Sequence, residues 1–133
     1  MLVDAGYTAV DINDTSHKPE IFLQSADEQY TFVKNAVDNI LSVGLKIGQC
    51  HAPHSISLWC STDDEVEQRI VAIENCVKTV SKFDIPYTII HPFVYAFNKE
   101  PDDKAGHRRA AALRLILARC EAALIEIRTE NAE

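Results

Sequence analysis

The chain has 133 residues, the size of one domain, with 47% hydrophobic residues to build a core and 25% charged ones. Its 20 acids outnumber 13 bases and give a net charge of −7, which excludes nucleic acid as the expected partner because phosphate binding needs a basic surface. No apolar run is long enough to span a bilayer, and the N-terminus lacks the basic and apolar regions of a signal peptide, so the expectation is a cytoplasmic protein with no membrane partner.

The opening "MLVDAGYTAVDI" reads as the end of a helix entering a strand, with the strand at 7–12. The polar stretch "NDTSHKPE" follows, where His17 is expected in solvent. Residues 25–43 read as a helix. Ser25 and Glu28 have the spacing of a capping box. Val33, Ala36, Val37, Ile40 and Leu41 follow the 3.6-residue period. Gly44 sits where a helix closes. A second strand is expected at 45–51, "LKIGQCH". The next helix repeats the design, with Thr62 and Glu65 as a second capping box. Its stripe is Val66, Ile70, Ile73, Val77 and Val80, and Pro86 stops it. The third strand is "PYTIIH", 86–91. A third helix starts near Pro101–Asp103 and runs through "HRRAAALRLILARCEAA". A fourth strand is expected at 124–130, "LIEIRTE", with one long helix through Ile127 as the alternative.

Strands alternating with helices are the pattern of parallel βαβ units. The expected strand ends fall at a nearly constant interval. Asp11 to His51 is 40 residues, His51 to His91 is 40, and His91 to Glu130 is 39. In parallel α/β folds the strand C-termini share one face, where sites are built. A histidine at a strand end turns its imidazole into that mouth. The proline behind it ends the ladder, since it has no N–H to donate. Cys50, Cys60, Cys76 and Cys120 show no C-x-x-C pair and no zinc-like spacing. They read as reduced, mostly buried thiols, with two disulfides as the alternative.

"GLKIGQCHAPHS", an acid-led amphipathic helix and then "FDIPYTIIHPF" together resemble the xylose isomerase-like TIM barrels. That family includes sugar phosphate isomerases/epimerases and relatives of the apurinic endonucleases. "GYTAVDI" is similar to its second-strand motif, and "EIRTEN" to the Glu-Asn end of its fifth strand. The match is strongest over 1–93 and weakest over 100–133, where Arg128 interrupts the last strand. The implied fold is a partial (β/α)8 barrel in a single domain, 1–133, with about four parallel strands. A full barrel takes about 250 residues, so half a barrel with two open sheet edges is expected. Such edges favour a homo-oligomer.

The resemblance implies a divalent metal (Mn, Zn or Mg) and a sugar or sugar phosphate substrate. It assigns metal ligation and proton transfer to Glu130, and places His51 and His91 at the metal and substrate mouth. Asp11, His54 and Trp59 are the further candidates for substrate contact. The plain alternatives stand beside these. His51 and His91 also suit a core histidine role, Glu130 a solvated one, His54 an exposed loop and Trp59 packing. His107, Arg108 and Arg109 suit a phosphate grip or the wet face of a helix. A non-catalytic barrel remnant that dimerises is the rival reading. A DNA-repair nuclease relative is disfavoured by the acid excess.

Overall fold

The computed structural model describes residues 2–54, 63–91 and 113–124. The chain enters through a turn over residues 2–6 rather than a regular helix. The turn is closed like a helix end. Tyr7 N donates to Leu2 O, Gly6 N donates to Val3 O, and Gly6 takes φ +84°. This is the paired bonding of a Schellman closure, which needs a left-handed residue and therefore favours glycine.

Strand β1 (Ala9–Ile12) leads into a single helical turn, α1 (Asp14–His17), and a 3-10 turn, Pro19–Leu23. Helix α2 (Ala26–Ser42) begins with the expected capping box. Ser25 Oγ accepts from Glu28 N, and Ser25 N donates to Glu28 Oε2. Donation to Glu28 Oε2 from Ser25 Oγ, at 2.6 Å, and from Ser25 N holds the Glu28 carboxyl below the usual carboxylate range. The helix stops at Gly44, whose φ is +80° and whose N–H donates to Leu41 O. Val33 and Val37 are buried as the periodicity required. Leu41 is not, at 54% exposure. It lies on the last turn of the helix.

Strand β2 (Lys46–His51), helix α3 (Asp63–Val80) and strand β3 (Thr88–Ile89) complete two βα units. Ile70, Ile73, Val77 and Val80 of α3 are buried and Val66 is half-buried. Residues 113–124 form helix α4. Leu124, expected to open a fourth strand, is in this helix; 125–130 lie outside the described residues, as do Thr62 and the expected start of the third helix near Pro101.

The sheet is parallel, in the order β1-β2-β3. Its register contains one irregularity, between Val10 and Asp11. Val10 pairs with Ile47, but Asp11 pairs with Gln49, so Gly48 is passed over. Neighbours in register point to the same side of a sheet, and successive residues to opposite sides. Without the slip, Asp11 would sit opposite Gly48 and share the face of Cys50. With it, Asp11 joins Gln49 and His51 on one face, while Ile12 meets Cys50 on the other. Bulges that re-aim a side chain in this way are common beside functional sites.

The Ile12–Cys50 face is covered by helices and forms one core with Phe22, Val33, Ile70, Ile73 and Ile116. Buried polar groups in this core are satisfied. Thr79 Oγ1 donates to Gln29 Oε1 at 3.0 Å, Gln29 Nε2 donates to Gln24 O at 2.8 Å, and Asn75 Nδ2 donates to Phe22 O at 2.8 Å. These bonds tie the 3-10 turn and α2 to α3. Arg119 of α4 reaches Glu74 and Glu67 of α3, with Nη2 2.7 Å from Glu74 Oε2. Burial pushes the Glu74 carboxyl up, but Arg119 and Lys78 outweigh it and hold it below its usual range.

Cys50, Cys76 and Cys120 are free and buried, as expected of reduced thiols. Burial, together with the nearby Glu74 charge, raises the Cys120 pKa to about 11. Cys60 lies outside the described residues. Among the described residues, no helix is long and apolar enough to cross a membrane.

Two substitutions check this arrangement by denaturant unfolding. Ser25→Ala removes the cap and is expected to cost about 1 kcal/mol. Phe22→Ala empties a fully buried position on the turn that packs against α2 and α3 and is expected to cost about 3–5 kcal/mol. Equal costs for the two would contradict the assignment of Phe22 to the core.

Candidate functional site

The C-terminal ends of the strands gather the histidines. His51 is the last residue of β2, and His91 follows β3 by two residues. His51 pairs in register with Ile89, so His91 falls on the same face as His51. His54 belongs to the loop after β2. Its backbone N–H donates to Ser16 O at 3.1 Å, which fastens that loop to α1. The strand end itself is pinned by Thr15, whose Oγ1 donates to His51 O at 2.5 Å. Thr15 and Ser16, fully buried in this short turn, therefore position the mouth.

His51 Nδ1 and His91 Nε2 are 3.3 Å apart, with the rings stacked at 18°. The His54 ring centroid lies 4.3 Å from that of His91 and 5.6 Å from that of His51. One nitrogen from each of the three rings lies within 4.8 Å of the other two. His17 stands further out, its centroid 6.1 Å from that of His54, with its Nε2 accepting from Asn13 Nδ2 at 3.4 Å.

On its other side His51 meets β1. Its Nε2 lies 3.9 Å from Asp11 Oδ2 and 3.5 Å from Gln49 Nε2. Gln49 Nε2 donates to Asp11 Oδ2 at 2.7 Å. Asp11 is half-exposed at 47%, against 20% for His51.

The three rings could together hold a metal ion. A tetrahedral zinc with Zn–N bonds of about 2.0–2.1 Å sets its nitrogens about 3.3 Å apart. His51 Nδ1 and His91 Nε2 already stand at 3.3 Å. The His54 ligand atom lies within 4.8 Å of both. Three imidazoles suit zinc, copper, nickel or iron(II); magnesium and manganese prefer carboxylate, carbonyl and water oxygens.

The mouth is also distinguished from the cavity at the opposite end of the strands. That cavity, about 550 Å3, is lined mainly by Val37, Leu41, Ile47, Phe83 and Ile85. Sites in parallel sheets lie outside the carboxyl ends of the strands, and the clustered ligating groups are there.

The structure brings together four of the sequence candidates: Asp11, His51, His54 and His91. Trp59 and Glu130 lie outside the described residues, as do His107, Arg108 and Arg109. His54, read from sequence as a substrate contact or exposed loop residue, stands inside the ring cluster. Gln49 was not singled out. Its signal was available, because a residue two before His51 on a strand shares its face.

Burial lowers the His54 pKa from its usual 6.5 against its own backbone hydrogen bond, with help from His91 and His17. The folded chain therefore favours neutral His54, while the unfolded chain takes up the proton first as pH falls. Stability is expected to drop below about pH 6.5. Thermal melts of metal-free protein at pH 7.5 and 5.5 should show a lower Tm at 5.5, and His54→Asn should reduce that drop. An undiminished drop in the variant would remove His54 as its source.

No family model, curated protein or solved structure matches the chain.

Proposed function

We propose that this chain binds one divalent ion of the zinc class through His51, His54 and His91, and that the site serves isomerase or epimerase chemistry on a sugar or sugar phosphate. The observation that carries the metal reading is the convergence of three imidazoles, with nitrogens within 4.8 Å, at the strand C-termini. The sugar reading rests on the resemblance of the two His-Pro strand ends to the xylose isomerase-like barrels. The parallel β1-β2-β3 order with intervening helices agrees with a segment of such a barrel.

Three protein ligands leave a coordination position for substrate oxygen. An ion held there supplies Lewis-acid polarisation of a carbonyl or hydroxyl oxygen. The chain's own residues do the rest. The three rings hold the ion, and the buried Thr15 keeps the His51 backbone from shifting. Glu130 is the carboxylate that the resemblance assigns to proton transfer between carbons.

A second reading has one observation in its favour. Among the described residues β1 pairs only with β2, so its outer edge is open. In this reading the chain is a non-catalytic barrel remnant that pairs with a second copy along that edge.

Calorimetric melts with added Zn²⁺ or Mn²⁺ test the proposal. Zn²⁺ at about 100 times its Kd should stabilise the native chain by about 2.7 kcal/mol. Mn²⁺ should do less. His51→Ala and His91→Ala should each abolish the zinc effect. A zinc-indifferent melt, or an undiminished effect in both variants, would contradict the metal reading. With metal bound, the sugar reading further requires solvent deuterium to enter a ketose phosphate at the carbon beside its carbonyl. No exchange, together with a dimer in sedimentation, would favour the remnant.

A further inference from the structure

We infer that Asp11 and Gln49 are positioning residues that set which nitrogen of His51 carries the proton. Gln49 keeps it on Nδ1 in the metal-free protein, and Asp11 accepts it as Nε2–H once Nδ1 is given to an ion. The inference rests on the metal reading above and extends it to residues that are not ligands.

The donors and acceptors are settled by chemistry. Gln49 Nε2 lies 2.7 Å from Asp11 Oδ2. A carboxylate only accepts, so the amide group facing it is the NH2 and not the carbonyl. The same Nε2 lies 3.5 Å from His51 Nε2, and its second hydrogen is the one left to donate there. An N–H can approach a ring nitrogen only at its lone pair. Gln49 therefore favours the tautomer with the proton on Nδ1. That proton then has an acceptor, because His91 Nε2 is 3.3 Å from Nδ1. Donation runs one way, from Gln49 to His51 to His91, and Asp11 anchors the amide.

An ion at the three rings needs the lone pair of Nδ1, the His51 nitrogen that faces His91. The proton on Nδ1 must leave to water and another must arrive at Nε2. The new Nε2–H points toward Asp11 Oδ2, 3.9 Å away. A short closure makes the carboxylate–histidine–metal arrangement that orients ligating imidazoles and raises their basicity. Gln49 and Asp11 thus act in opposite directions. Gln49 stabilises the tautomer that cannot ligate, and Asp11 stabilises the one that can. The register slip at Gly48 makes this possible, since it alone puts Asp11 on the face of His51.

The test measures tautomer and affinity separately. Long-range ¹⁵N–¹H NMR of the wild-type chain should show His51 with Nδ1–H when metal-free and Nε2–H when zinc-loaded. Competition titration with Zn²⁺ should show Asp11→Asn weakened about 10- to 100-fold, while Gln49→Leu binds as tightly as wild type or tighter. Backbone NMR spectra confirm that each variant is folded. Nε2–H in the metal-free protein would overturn the role of Gln49. Wild-type affinity in folded Asp11→Asn, or in a weakened Gln49→Leu the same loss as in Asp11→Asn, would overturn the opposition. If the wild-type chain binds no zinc at all, the metal reading fails first. The metal-free tautomer still decides the Gln49 arm, and the Asp11 arm falls with the metal.

Discussion

The register between β1 and β2 is the constraint on which the rest depends. A strand has only two faces, and one residue of slip exchanges them. Passing over Gly48 lets Ile12 enter the core beside Cys50 while Asp11 turns to Gln49 and His51. Core and mouth are thus set by the same irregularity. Helices cover the Ile12 face, and that burial fixes the register strongly, because shifting it would carry Ile12 into water. The placement of Asp11 at the mouth follows from the burial of its neighbour.

Rigidity at the mouth comes from small polar residues. Thr15 and Ser16 lie in a helix of one turn, too short to be stable alone. They are held because their groups bond across to β2 and the loop after it: Thr15 Oγ1 to His51 O, and Ser16 O to the His54 N–H. Beneath them the Gln29–Thr79 and Asn75–Phe22 bonds lock the 3-10 turn onto the helices. The ring cluster therefore sits on backbone that is over-determined from below. Preorganised ligands lose less freedom when they bind an ion.

Much of this was legible in the residues, for physical reasons that differ by element. Helix α2 announced both ends: Ser25 and Glu28 at one, Gly44 at the other. Such signals are local and act through nearest backbone groups. The parallel strand order and the two strand-end histidines could be read from spacing. What escaped depended on tertiary contacts. Leu41 fits the helical period but is exposed on the last turn of α2. The face of Asp11 depends on a slip that only pairing reveals. Leu124 lies in α4, in keeping with the long-helix alternative. His54 looked like an exposed loop histidine because nothing local shows that Ser16 binds its backbone. Gln49 was within reach, since strand periodicity puts it beside His51.

The central claim is that three imidazoles, and no thiol, hold one ion at the strand ends. The described cysteines support the exclusion of sulfur: Cys50, Cys76 and Cys120 are all buried, and Cys50 lies on the opposite face of β2 from His51. X-ray absorption at the zinc edge of the loaded chain tests the claim most directly. It should show a first shell of nitrogen and oxygen at about 2.0–2.1 Å with the outer-shell scattering of three imidazoles. A sulfur shell at about 2.3 Å, or a shell without imidazole scattering, would contradict it.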